Sequence, residues 1–130
     1  MPALAAASVL GVLLRRRSGR VRVRGRGDGK RLRAAEIGAD LGERATLVQF
    51  SSAFCAPCRA TRRVLGEVAG LVPGVTHVEI DAEAHLDLVR RLEILKTPTV
   101  LVLDADGTVV RRATGQPRKA DVIAALGEAV

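Results

Sequence analysis

From residue 34 to the C-terminus the apolar positions switch between two spacings, and each switch marks a new element. Ala34–Leu41 reads as a short helix closed by Gly42. Thr46-Leu-Val-Gln-Phe50 is an apolar run of strand formers. From Cys58 to about Ala69 the apolar positions Ala60, Val64, Leu65 and Val68 follow helical spacing. Pro73-Gly74 is a turn signal, and Val75–Ile80 reads as a second strand. Glu83–Leu95 returns to helical spacing through Leu88, Val89, Leu92 and Leu95. Thr99–Leu103 is a third strand entered through Pro98, and Asp104-Ala-Asp-Gly107 is a hairpin turn. Thr108–Ala113 is the return strand. After Gly115 and Pro117, Arg118–Val130 forms a last helix with Val122, Ile123, Leu126 and Val130 inward.

This order predicts an α/β fold: a small mixed sheet with helices on both faces. Its strand–helix–strand crossovers make parallel pairs, and the closing hairpin is antiparallel. No internal repeat is visible. The length of 130 residues suits one such domain. With no Trp or Tyr, and only Phe50 and Phe54 among the aromatics, its core must be built from Val, Leu, Ile and Ala.

Residues 1–33 are of a different kind. Residues 2–14 are uncharged and mostly apolar, and Arg15, Arg16 and Arg17 follow at once. A secretory signal carries its positive charge ahead of the apolar stretch, so export is not expected. As a helix, thirteen residues reach roughly 20 Å, short of a bilayer core about 30 Å thick. Three readings of residues 2–33 follow: membrane contact as a marginal anchor, membrane contact as a surface segment, or a disordered tail or remnant of a longer segment; membrane contact is the favoured one. The arginine cluster would keep residues 34–130 on the cytoplasmic side, so the expected location is the cytoplasm, tethered or free. Residues 18–31 are rich in Gly and Arg. The Val–Arg alternation hints at a strand, but the glycines and like charges favour a mobile linker.

The net charge of +7 is concentrated in this arm. Residues 1–33 hold ten Lys/Arg and one acid, whereas residues 34–130 hold eleven Lys/Arg and thirteen acids. The body offers no electrostatic footprint for nucleic acid, and the arm has no aromatic to stack on bases, so no nucleic-acid partner is expected.

The two cysteines stand three apart, in Cys55-Ala-Pro-Cys58, between a predicted buried strand and a predicted helix. A helix start leaves unpaired N–H groups and partial positive charge at the first sulfur, which favours the thiolate. At pH 7 a thiol of pKa ~8.5 is about 3% ionised and one near 7 about half, a gain of about fifteenfold in attacking species. A spacing of three brings the sulfurs within bonding reach, and Pro57 suits the first helical turn. Cys55 is then the nucleophile and Cys58 the resolving thiol. Three blander readings compete: a structural disulfide, two inert cysteines, or half a zinc site. The structural disulfide would close too small a loop to stabilise much. For zinc, His77 and His85 are eight apart and His77 lies in a strand, so no metal is expected.

On these residues the chain resembles the thioredoxin family over residues 34–130. Val48–Phe50 with Phe54-Cys-Ala-Pro-Cys58 is similar to the family's active-site strand and loop, Lys96-Thr-Pro-Thr99 to its cis-proline loop, and Asp104–Gly107 with Gly115 to its closing hairpin. The resemblance implies a thioredoxin-like fold, a cis Pro98 facing the dithiol, and a substrate groove of Phe54, Ala56, Pro57, Thr97 and Pro98. It implies a thiol–disulfide oxidoreductase that reduces disulfide-containing protein substrates, is recharged by a thioredoxin-reductase-type donor, and needs no cofactor beyond its own Cys55–Cys58 disulfide. A peptide-binding or chaperone module without turnover, or a dithiol oxidant outside the cytoplasm, are the alternatives. Phe54 stands where the family usually has Trp, and Ala56 where it has Gly. Gln49 stands where a buried Asp often serves as proton acceptor, and His77 near where a Lys pairs with that Asp. Gln49 cannot take a proton, which leaves His77, water or the departing thiolate to deprotonate Cys58.

Overall fold

The computed structural model describes residues 23–24 and 29–130; the apolar stretch 2–14 and its arginine flank lie outside the described residues. The elements are β1 (Val23–Arg24), α1 (Ala34–Ile37), β2 (Ala45–Ser51), α2 (Ala56–Leu71), β3 (Val75–Asp81), a 3₁₀ turn (Ala82–Ala84), α3 (Leu86–Arg91), β4 (Thr99–Asp104), β5 (Val109–Thr114) and α4 (Lys119–Ala129). The strands form one mixed sheet in the order β1-β5-β4-β2-β3.

Alternation along each strand splits the apolar residues into two clusters, one per face. Val48, Phe50, Val78, Ile80, Leu101 and Leu103 pack with Leu32, Ile37, Leu92 and Ile94 on one side. Ala45, Leu47, Val100 and Val102 pack with Leu65 and Val68 of α2 and Val122, Ala125 and Leu126 of α4 on the other. Every residue of β2 is buried, as a central strand with helices on both faces requires.

Several expectations are corrected. Only β2 and β3 are parallel; β4 runs antiparallel to β2 rather than parallel to β3. The first helix ends at Gly38, not Gly42: Gly38 takes φ 70°, a left-handed cap that costs glycine little. The helix expected over Glu83–Leu95 is broken twice. Asp81 Oδ1 accepts the Glu83 N–H and starts a 3₁₀ turn, and α3 begins only after His85. Its end is set by Glu93 at φ 55°, after which Leu95 is 94% exposed. In the last helix Ile123 and Val130 face outward, and Ala125 takes the inward place beside Val122 and Leu126.

Residues ahead of the expected boundary at residue 34 also contact the sheet. Within the expected linker, Val23 and Arg24 pair with Ala113 and Arg112 of β5. Arg31 bridges to Thr108, and the Leu32 N–H donates to the Gly107 carbonyl at 2.9 Å. Leu32 itself is fully buried in the core. Among the described residues, no helix is long and apolar enough to cross a membrane.

Candidate redox site

β2 delivers the chain to the site, and α2 receives it. Between them Phe54 adopts φ 56°, a left-handed conformation that a bulky side chain rarely takes and that concentrates at functional sites. Its ring is wholly exposed. Cys55 follows as the N-cap of α2, extended at φ −105°, with Pro57 in the first turn where a missing N–H leaves no hydrogen bond unmade.

The Cys58 N–H is shared between the Cys55 carbonyl at 3.1 Å and Cys55 Sγ at 3.2 Å, so a donor of the helix start reaches that sulfur. The two cysteines are joined in a disulfide with their Cα atoms 5.2 Å apart. Cys55 is half-buried and Cys58 is 1% exposed, an outer and an inner sulfur one turn apart. Thr61 Oγ1 donates to the Pro57 carbonyl at 2.8 Å and adds a side-chain bond to the same turn.

The loop before β4 closes the other side. The Thr97–Pro98 bond is cis, Pro98 is buried and Thr97 half-buried. The Gly115 N–H donates to the Pro98 carbonyl at 2.8 Å. Ser52 Oγ and Thr97 Oγ1 share a hydrogen bond of 2.7 Å, which ties the loop ahead of the dithiol to the proline loop. Phe54, Ala56 and Pro57 lie exposed at the surface beside Cys55.

Beneath Cys58 lies a polar layer on the α2 face of the sheet. Gln49, fully buried, donates from Nε2 to the Cys58 carbonyl at 2.8 Å and to Ser51 Oγ at 2.9 Å. Its Oε1 pairs with His77 Nε2 at 3.0 Å. Ser51 Oγ donates to Glu79 Oε2 at 2.9 Å, and Arg62 Nε donates to Glu79 Oε1 at 2.7 Å. Burial pushes the Glu79 carboxyl upward, but the hydrogen bonds from Arg62 and Ser51 and the nearby positive charge outweigh it and hold Glu79 below its ordinary value. Burial lowers the His77 pKa, opposed by Glu79 and reinforced by Arg62. His77 meets Gln49, and the Gln49 amide stands between it and the Cys58 carbonyl.

Ser51, Ser52, Arg62 and Glu79 were not among the residues expected at the site. The alternation carried a signal for two of them: Ser51 is two residues from Gln49 and Glu79 two from His77, so each pair shares a strand face. Among the described residues, no group of three His, Cys, Asp or Glu is placed to hold a metal.

A disulfide-bonded Cys55–Cys58 pair at a helix start, its preceding loop hydrogen-bonded through Ser52 to Thr97 of a cis-proline loop on the same mixed sheet, defines a thiol–disulfide oxidoreductase of thioredoxin-like fold. The Thioredoxin family profile matches residues 34–128, and the chain belongs to that family. It is 31% identical to a thioredoxin of Mycolicibacterium smegmatis over 87 residues, 65% of this chain and 77% of that protein. It is also 31% identical to a thioredoxin of Mycobacterium tuberculosis H37Rv over 85 residues, covering 65% and 72%. Among solved structures, chloroplastic thioredoxin z superposes with a TM-score of 0.58 at 27% identity, over 66% of this chain and 78% of that one. A mutant thioredoxin of Halobacterium salinarum has a TM-score of 0.60 at 16% identity, over 67% and 75%, and shows the shared fold alone.

Proposed function

We propose that this protein reduces disulfides in protein substrates by cycling Cys55 and Cys58 between dithiol and disulfide. Cys55 as thiolate attacks one substrate sulfur; the substrate S–S bond breaks, and the other substrate sulfur leaves and takes up a proton. Cys58 then loses its proton and attacks the Cys55 sulfur of the mixed disulfide. The second substrate thiol departs, and the Cys55–Cys58 bond forms. A dithiol donor of the thioredoxin-reductase type returns two electrons and two protons. The cytoplasm, whose thiol pool is reducing, is the compartment that suits this direction. An extended substrate segment would lie along the backbone of Thr97, as an added strand against the proline loop.

The observation that carries this reading is the placement of Cys55 Sγ at the N-cap, receiving the Cys58 N–H, one turn from a buried partner sulfur. Two measurements test it. The pair should equilibrate reversibly with a glutathione redox buffer. Cys58→Ser should accumulate a covalent mixed disulfide with a protein substrate, and Cys55→Ser should form none. Two thiols that resist alkylation in the folded protein, or a bond that cannot be reopened reversibly, would overturn the reading.

A further inference from the structure

The hydrogen bonds below Cys58 can be run in one direction only. A backbone carbonyl accepts and never donates, so the Gln49 atom 2.8 Å from the Cys58 carbonyl is the amide nitrogen. The second amide proton goes to Ser51 Oγ. The Gln49 oxygen therefore faces His77, whose Nε2 must carry a proton. Ser51, having accepted from Gln49, sends its own hydrogen to Glu79 Oε2, while Glu79 Oε1 accepts from Arg62. Glu79 accepts at both oxygens, and the carboxylate, held below its ordinary pKa by these same donors, is the form that fits. The line thus ends on a charge at the sheet's margin, where the Glu79 side chain is 29% exposed.

Its two ends grip α2 one turn apart, since Arg62 lies four residues after Cys58. β2 holds the Cys58 turn through Gln49, and β3 holds the next turn through Glu79. We propose that Ser51 and Glu79 are positioning residues for the resolving step: by taking the Ser51 hydrogen, Glu79 keeps the Gln49 amide turned toward the Cys58 carbonyl and so seats the Cys58 sulfur for attack on the mixed disulfide. This inference rests on the exchange reading above. In that step the Cys58 S–H bond breaks and its proton passes, directly or through water, to the departing substrate thiolate. The Cys58–Cys55 bond forms as the Cys55–substrate bond breaks, so no external oxidant or base is required. Cys58 is 1% exposed and cannot swing freely, so the placement of its turn controls the alignment of its sulfur.

The two chemical steps can be watched separately with a symmetrical bis-nitrobenzoate disulfide, whose thiolate is coloured. Reduced protein releases one coloured thiolate when Cys55 attacks and a second when Cys58 resolves. Glu79→Gln offers one acceptor and one donor where two acceptors are needed, and it changes a partly exposed side chain outside both apolar clusters. In Glu79→Gln and in Ser51→Ala the first phase should stay within about twofold of the parent, while the second slows by about tenfold or more. Ser51→Thr, which keeps the hydroxyl, should restore the second phase. Second phases within about twofold of the parent in both variants would overturn the proposal. So would equal slowing of both phases, which would mean a loosened site. A parent protein that releases no colour would sink the exchange reading itself. Two equivalents from the parent with unaltered variants would sink only the role of Ser51 and Glu79.

Discussion

Among the described residues, two that are not glycine sit in left-handed backbone, and they serve different ends. Phe54, at φ 56°, turns a fully exposed ring outward beside the nucleophile. Glu93, at φ 55°, stops α3: the Ile94 N–H reaches back to the Val89 carbonyl at 2.9 Å, and Arg112 donates to the carbonyls of Leu92 and Glu93 at 2.6 and 3.2 Å. Glycine adopts this conformation without the steric penalty, and the Arg112 hydrogen bonds to the Leu92 and Glu93 carbonyls end on backbone atoms that Glu93→Gly keeps. Glu93→Gly should therefore leave the fold intact and stabilise it by about 0.5–1 kcal/mol in a denaturant titration. A loss of stability would show that the Glu93 side chain matters more than its backbone. Nothing local in Arg-Leu-Glu-Ile announces such a stop, because the usual glycine is missing and the bonds that enforce it come from β5. Cys55, Cys58 and Pro98 were legible because their chemistry is confined to short motifs. The Ser51–Glu79 contact joins two strands, and only the parallel register that sets Gln49 opposite Glu79 brings the pair together.

Among the elements, β2 to β5 were legible nearly to their ends, since apolar runs of five or six β-formers have few other readings. The helices on the α1/α3 face were not. α1 has four residues and α3 six, too short for periodicity to set their limits. The segment ahead of α1 misleads for a related reason. Its composition is that of a linker, yet one apolar residue, Leu32, fills the core, and the backbone around it pairs with Gly107, Thr108 and Val109. Gly107 is held to this contact: at φ 87° it would carry a Cβ only 2.2 Å from the Leu32 carbonyl oxygen. Leu32→Ala should cost about 2–5 kcal/mol, the range for a large buried aliphatic. A shift in the unfolding midpoint equivalent to less than about 1 kcal/mol would mean that the core is complete without this segment.

At the scale of the whole molecule, Glu36 and Glu79 are two of the carboxylates that tie elements together. Glu36 accepts from the Arg33 backbone N–H and pairs with Arg91 at 2.6 Å, joining α1 to α3. Glu79 joins α2 to β3 through Arg62. Burial raises both carboxyls, but hydrogen bonds and arginine charge bring them below the ordinary value of 4.5. A depressed carboxyl stabilises the fold above that value and loses the contribution as pH falls through its folded pKa. His77, lowered from 6.5 chiefly by burial, adds an earlier loss, since the unfolded chain takes up its proton first as pH falls below 6.5. The melting temperature should therefore fall in two stages on acidification. His77→Gln should remove the stage that starts near 6.5, and Glu79→Gln should shrink the one below about 4.5. A melting temperature independent of pH between 7 and 4 in the parent would contradict both assignments.

The placement of the two aromatic rings has a practical outcome. Phe50 is sealed in the middle of the sheet and Phe54 stands wholly in solvent, with no indole or phenol elsewhere in the chain to obscure them. In an NMR spectrum one benzyl signal would report whether the interior is intact, and the other whether something has settled over the sulfurs. Folding and docking can thus be followed in the same unlabelled sample.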